Sequence, residues 1–167
     1  PQMLDADDIW RTVERERVGT LTIVGDAFAR PLLDQLGKAT YDLSCLRLSV
    51  TGAAPTPVEL IHRMRKELGF ETVITGYGLT ETCGIVSMCR YDDDPETIAT
   101  TSGRAIPGIE VRCIDESGRE VPRGQPGEVV VRGYNVMRGY FDEAEETRRT
   151  IDADGWLHTG DLGTMDS

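Results

Sequence analysis

Residues 45–82 read CLRLSVTGAAPTPVELIHRMRKELGFETVITGYGLTET, and their patterning decides the fold class. Leu46, Leu48 and Val50 alternate with polar residues, the period of a strand with one buried face. Thr56-Pro57-Val58-Glu59 has the form of a capping box with proline at the first helical position. The helix it opens carries Leu60, Ile61, Met64 and Leu68 on one face and is expected to stop at Gly69, where a left-handed residue ends a helix. A second strand, ETVIT (residues 71–75), follows. Strand, helix and strand in that order favour parallel pairing in an α/β layer.

The pattern continues on the N-terminal side. Asp5 can cap a helix whose apolar face is Ile9, Trp10 and Val13. GTLTIVG (19–25) reads as a short buried strand. Asp26 is placed to cap the next helix, which carries Phe28, Leu32, Leu33 and Leu36; Pro31 either kinks that helix or begins it. Beyond about Ile98 the texture changes. TTSGRAIPG (100–108) is linker-like, IEVRCID (109–115) and GEVVVRG (127–133) are β-rich, and Ser117-Gly118 forms a turn. Asp142 is expected to start a short polar helix with Glu145 at the capping-box position. GWLHTGD (155–161) reads as a turn and a strand. The expectation is an α/β subdomain over residues 1–98 and a smaller, mainly β subdomain over 99–167, with no internal repeat. Asp92, Asp93 and Asp94 read as a solvated loop.

Composition narrows the function classes. The 18 basic and 29 acidic side chains among 167 residues give a net charge of −11. Phosphate backbones and anionic membranes both select clustered Lys and Arg, so neither nucleic acid nor a membrane surface is an expected partner. No apolar run approaches the roughly 20 residues of a membrane helix. Cys45, Cys83, Cys89 and Cys113 form no CxxC pair and read as small buried hydrophobes in a reducing, cytoplasmic compartment. A chain that opens on Pro1 and closes on GTMDS has the look of a piece of something longer.

Gly76–Thr82, GYGLTET, is the first stretch with chemistry in it. A dinucleotide loop needs a third glycine three positions after the second. Glu81 stands there, and its carboxylate would repel a pyrophosphate unless a cation stood between them. Thr80 can offer a hydroxyl to a phosphate oxygen, Glu81 can hold Mg²⁺, and Tyr77 can stack on a planar base. On these seven residues alone this reading and a plain strand-to-loop transition stand level. TGAAPTP (51–57) also follows a strand and precedes a helix, with small residues that leave its backbone accessible. If the two strands are neighbours, both loops lie at the carboxyl edge of one sheet, where open α/β sheets bind ligands. In GWLHTGD, Asp161 can take two ribose hydroxyls, and it reads equally as a turn aspartate beside a buried Trp156. His158 and His62 read as structural and surface residues.

TGAAP, GYGLTET, GEVVVRGYNVMRGYF and GWLHTGD, in this order, resemble the adenylate-forming enzymes: acyl-CoA synthetases, adenylation domains and luciferases. The resemblance runs from about Leu46 to the end, and VGDAFARPLL (24–33) is similar to a stretch of actinobacterial fatty-acyl or steroid-acyl CoA synthetases. It implies that the chain belongs to the large N-terminal domain of such an enzyme. By resemblance, the backbone of Gly52, Ala53, Ala54 and Pro55 lines the adenine and Tyr77 stacks on it. Thr80 contacts the α-phosphate, Glu81 holds Mg²⁺ and Asp161 binds the ribose hydroxyls. Gly76 and Gly78 border the acyl pocket. The implied reaction joins a carboxylic acid to ATP as acyl-AMP, then passes the acyl group to coenzyme A. The resemblance places a lysine-bearing phosphate loop upstream of Pro1 and a lysine-bearing domain past Ser167. The arginine that usually follows the aspartate motif is missing. The chain is therefore expected to be inactive alone. An acyl-AMP ligase, a carrier-protein-loading adenylation domain and a non-catalytic nucleotide-binding module stay open as alternatives, and a dinucleotide oxidoreductase is disfavoured by Glu81.

Overall fold

Two parallel strands carry the first unit. β2 (Leu48–Gly52) and β3 (Thr72–Tyr77) lie side by side, with Leu48 opposite Thr72 and Gly52 opposite Gly76. Helix α3 (Val58–Glu67) makes the crossover between them. The computed structural model describes residues 5–52 and 57–166. Two compact units emerge, one of residues 1–77 with 87–104 and the other of 78–86 with 105–167.

In the first unit, helix α1 (Ala6–Glu16) starts as its sequence implies. The Asp5 carboxylate accepts from the amides of Asp7 and Asp8, both at 3.1 Å. Strand β1 (Thr20–Thr22) pairs with β2 in parallel and lies at the sheet edge. The expectation of a buried strand is corrected: Thr20 and Thr22 are exposed and Leu21 half-buried, alternate side chains pointing to opposite faces of the sheet. Helix α2 (Gly25–Leu36) starts two residues ahead of the expected helix. Its N-cap is Val24; Asp26 sits in the first turn and pairs with Arg30 instead of capping. Pro31 falls inside the helix, so it does not begin it. Phe28, expected on the buried face, is 46% exposed, and Ala29 takes the buried position beside Leu32 and Leu33.

Helix α3 buries Leu60, Ile61 and Met64 and is followed by Gly69 at φ +72°, the left-handed stop read from the sequence. Its N-cap is Pro57, one position later than expected, and Thr56 lies outside the described residues. Strand β4 (Ser87–Met88) runs antiparallel to β3. Helix α4 (Pro95–Thr100) follows the three aspartates, which form a turn ahead of it as read from the sequence, and Asp94 has the added task of capping it. The Asp94 side chain accepts from the amides of Glu96 and Thr97, at 2.9 and 3.0 Å, with Pro95 in the first turn. Strand β5 (Arg104–Ala105) completes the order β1-β2-β3-β4-β5. The core gathers Trp10, Leu32, Leu33, Ile61, Met64 and Val73.

The second unit is built on an antiparallel sheet of β6 (Ile109–Ile114), β7 (Pro126–Gly133) and β8 (Leu157–Thr164). The guanidinium groups of Arg112 and Arg132 both lie over the Trp156 ring, 4.4 and 4.5 Å from its centroid. Arg132 also holds Glu110 across the β6–β7 pair through two hydrogen bonds of 2.9 Å. Helix α5 (Ala144–Thr150) is capped at Glu143, not at the expected Asp142. Asp142 has φ +56° and belongs to the turn ahead of the helix, which removes Glu145 from the capping-box position. Among the described residues no helix is long and apolar enough to cross a membrane. Cys89 and Cys113 are buried, and burial pushes both thiols above their ordinary range. Cys83 is exposed, which corrects its reading as a buried hydrophobe; it closes a turn at φ +53°.

Two stability tests follow from this architecture. Trp10 is fully buried and donates its indole N–H to the Leu32 carbonyl at 2.8 Å. Trp10→Phe is expected to cost about 2 kcal/mol, from the lost hydrogen bond and the void left behind, read as a lower urea midpoint. The Ser117 hydroxyl and the Arg119 amide hold the Asp115 carboxyl down to about 2 from its ordinary 3.8. A depressed carboxyl stabilises the turn fully above its ordinary value and loses that contribution as pH falls through about 2. In an acid titration followed by circular dichroism, Asp115→Asn is expected to start less stable and to converge with the parent at the acid end.

Candidate functional site

The carboxyl ends of β2 and β3 are adjacent, as the loop argument required. Gly52 and Gly76 face each other there, and a Cβ on Gly52 would stand 2.8 Å from the Gly76 carbonyl oxygen. The glycine is thus needed for strand approach before any ligand is considered. Ala53, Ala54 and Pro55 lie outside the described residues. Tyr77 is the last residue of β3, half-buried and opposite Ser87 in the β3–β4 pair.

The second half of GYGLTET belongs to the second unit and forms a single 3₁₀ turn, Thr80–Thr82. Thr82 is fully buried and clamps the turn. Its hydroxyl donates to the Leu79 carbonyl at 3.0 Å and accepts from the Leu79 amide at 3.1 Å. The amides of Thr82 and Gly84 both reach the same carbonyl, at 3.1 and 2.9 Å. The chain doubles back so tightly that a Cβ on Gly78 would lie 2.4 Å from the Gly84 carbonyl oxygen and 2.6 Å from Ile85 Cα. With Thr82 turned inward, Thr80 is exposed and Glu81 half-buried.

A stretch without an assigned role in the sequence holds this turn. Asn135 is buried and donates to the Ile85 carbonyl at 2.6 Å. The Met137 amide donates to the Glu81 carbonyl at 2.7 Å. The Tyr140 hydroxyl donates to Glu81 Oε1 at 2.8 Å. That bond, followed by burial, pushes the Tyr140 phenol above its ordinary value of 10.0, so it remains a donor at neutral pH. Asn135 and Tyr140 lie inside the GEVVVRGYNVMRGYF motif, but no local pattern ties either to a residue more than 45 positions away.

Among the described residues no three His, Cys, Asp or Glu side chains gather as a metal cage. The Glu81 carboxylate keeps lone pairs beyond the one Tyr140 uses, so it fits a hard divalent cation only where ligand oxygens complete the coordination. Asp161 is exposed on β8, after Gly160 at φ +73°, and its amide donates to the Thr159 hydroxyl at 3.1 Å. The Thr159 hydroxyl in turn donates to the Val129 carbonyl at 2.7 Å, beside a β-bulge. His158 Nδ1 lies 3.1 Å from Glu128 Oε2, and the other oxygen of Glu128 accepts from the Gly160 amide at 3.2 Å. These bonds shape the strand before Asp161.

Residues 1–141 match the family described as AMP-binding enzyme. The chain belongs to that family. It is 50% identical over 98% of its length to the 3-[(3aS,4S,7aS)-7a-methyl-1,5-dioxo-octahydro-1H-inden-4-yl]propanoyl:CoA ligase of Rhodococcus jostii. Identity to the Mycobacterium tuberculosis ligase of the same name is 47% over 93% of the chain. The chain spans about 30% of the length of these curated relatives. Among solved structures, the N-terminal domain of FACL13 from Mycobacterium tuberculosis superposes with TM-score 0.85 at 30% identity, over 99% of this chain and 40% of that one. The o-succinylbenzoate CoA synthetase of Bacillus subtilis, in complex with ATP and magnesium ion, gives 0.80 at 26% identity, over 100% of this chain and 33% of its own. This member of the family therefore has the fold of part of the N-terminal domain of adenylate-forming enzymes, as its motifs implied.

Gly78→Ala is expected to disrupt the turn, because the atoms in its way are backbone and cannot step aside. The expected loss is about 1–3 kcal/mol, the usual range for overpacking, measured by urea denaturation. Unchanged stability would show that the turn opens without cost.

Proposed function

We propose that this chain is the adenylate-binding section of an ATP-dependent acyl-CoA synthetase. Its acid is a fatty or steroid-derived carboxylic acid, and the 50% identity to a ligase of a fused-ring propanoate favours the steroid-derived class. The observation that carries the reading is the Thr82 clamp, which turns Thr82 inward and leaves Thr80 and Glu81 as the outward polar groups of the turn.

In this reading the backbone of Gly52, Ala53, Ala54 and Pro55 lines the adenine, Tyr77 stacks on it and Asp161 takes the ribose hydroxyls. Thr80 donates to the α-phosphate. Glu81 holds Mg²⁺, which when bound neutralises phosphate charge. Gly76 and Gly78 border the acyl pocket. The acid's carboxylate oxygen attacks the α-phosphorus, pyrophosphate leaves and acyl-AMP remains; the coenzyme A thiol then displaces AMP. Negative charge builds on phosphate oxygens in the first step, so donors fixed in advance are the main catalytic contribution. Short coverage of the relatives supports a longer parent protein whose other regions complete the site. Four free thiols fit a reducing cytoplasm.

The test is pyrophosphate release by the full-length protein with a panel of fatty and fused-ring acids, with and without coenzyme A. Thioester formation is expected, and the 167-residue chain alone is expected to release none. Glu81→Gln in the full-length protein is expected to lower acyl-AMP formation at least about 100-fold, the scale seen when a transition-state stabiliser is removed. Normal adenylation by that variant would overturn the role given to Glu81.

A further inference from the structure

Glu81 is held at three points. Its carbonyl is bound by the Met137 amide at 2.7 Å and its carboxylate by the Tyr140 hydroxyl at 2.8 Å, while Thr82 fixes the turn on which it stands. Tyr140 is itself held. Its amide donates to the Thr147 hydroxyl of α5 at 2.9 Å, and that hydroxyl donates to the Glu143 carbonyl at 2.9 Å. The approach is close: a Cβ on Gly139 would stand 2.6 Å from Thr147 Cγ2 and 2.8 Å from its Oγ1, and Gly139 has φ +145°. A chain of contacts therefore runs from a short surface helix, through one phenol, to one oxygen of the carboxylate.

A glutamate on a solvated turn has three side-chain torsions to lose when it binds a cation. A donor fixed to one oxygen restricts that freedom in advance and leaves the other oxygen with a defined direction. Outer partners of this kind orient the ligands of metal sites. Tyr140 is half-buried, and besides Glu81 its phenol has a second hydrogen-bonding neighbour, the Thr150 side chain at the end of α5.

We propose that Tyr140 is a positioning residue that orients Glu81 for a divalent cation bound together with nucleotide phosphate, and that Thr147 on α5 sets Tyr140. The proposal rests on the cation role given to Glu81 above.

The test uses the full-length ligase and Mn²⁺ as the probe, with a non-hydrolysable ATP analogue present and binding read by electron paramagnetic resonance. Tyr140→Phe removes the hydroxyl alone and is expected to weaken Mn²⁺ about 10-fold, the lower end of the outer-partner range. The half-saturating Mg²⁺ for acyl-AMP formation is expected to rise by a similar factor, with kcat at saturating Mg²⁺ little changed. Thr147→Val is expected to move both readouts in the same direction, and Thr147→Ser, which keeps the hydroxyl, to restore them. Parent-like Mn²⁺ binding by Tyr140→Phe would overturn the proposal, even with a lowered melting temperature, since that pattern belongs to a purely structural tyrosine. Glu81→Gln separates the two claims. If it loses Mn²⁺ while Tyr140→Phe does not, the positioning role alone fails; if it binds Mn²⁺ like the parent, the assignment of Glu81 fails and takes the proposal with it.

Discussion

Thr82 spends its hydroxyl on a residue three positions back. It gives a hydrogen bond to the Leu79 carbonyl and takes one from the Leu79 amide, and two further amides converge on that carbonyl. A buried hydroxyl satisfied in this way is costly to disturb, because unmaking either bond strands a polar group away from water. The turn is also too tight for any side chain at Gly78. These constraints decide which way Thr80 and Glu81 face, and the proposed chemistry depends on that facing. The motif is thus a piece of rigid geometry first and a set of functional groups second.

The same economy appears at the strand ends. Gly52 and Gly76 are register partners on adjacent parallel strands, and the first of them has no room for a Cβ. Strands that close at their carboxyl ends leave their following loops side by side, the usual location for a ligand in an open α/β sheet. Gly52 at the end of β2 and Tyr77 at the end of β3 then stand at one edge of the sheet by topology alone.

In the second unit the support comes from polar contacts distant in sequence. Asn135, Met137 and Tyr140 each bind the segment 81–85, through a side chain, an amide and a phenol respectively. The sheet beneath uses another contact: the Arg112 and Arg132 guanidinium groups lie over the Trp156 ring, and Arg132 keeps its bond to Glu110.

Much of this was legible in the sequence wherever a few neighbouring residues decide the outcome. The Asp5 cap, the buried stripe of α3 and its stop at Gly69 follow from bonds and periods a turn or two long. The cap of α4 was legible by the same rule, since Asp94 before Pro95 is a helix start, and the acidic run obscured it. The motifs also sufficed to point to the family. The one-sided alternation read for β2 is corrected: Ser49 and Thr51 are buried more fully than Leu48 and Val50, because the strand is covered on both faces. What tertiary structure alone decided is the edge status of β1, the exposure of Phe28, the crowding at Gly78 and the bond from Tyr140 to Glu81. Each depends on which residues meet across tens of positions. Hydrophobic period and capping chemistry record the environment of a residue along its own helix or strand, and they carry no register between segments that only packing brings together.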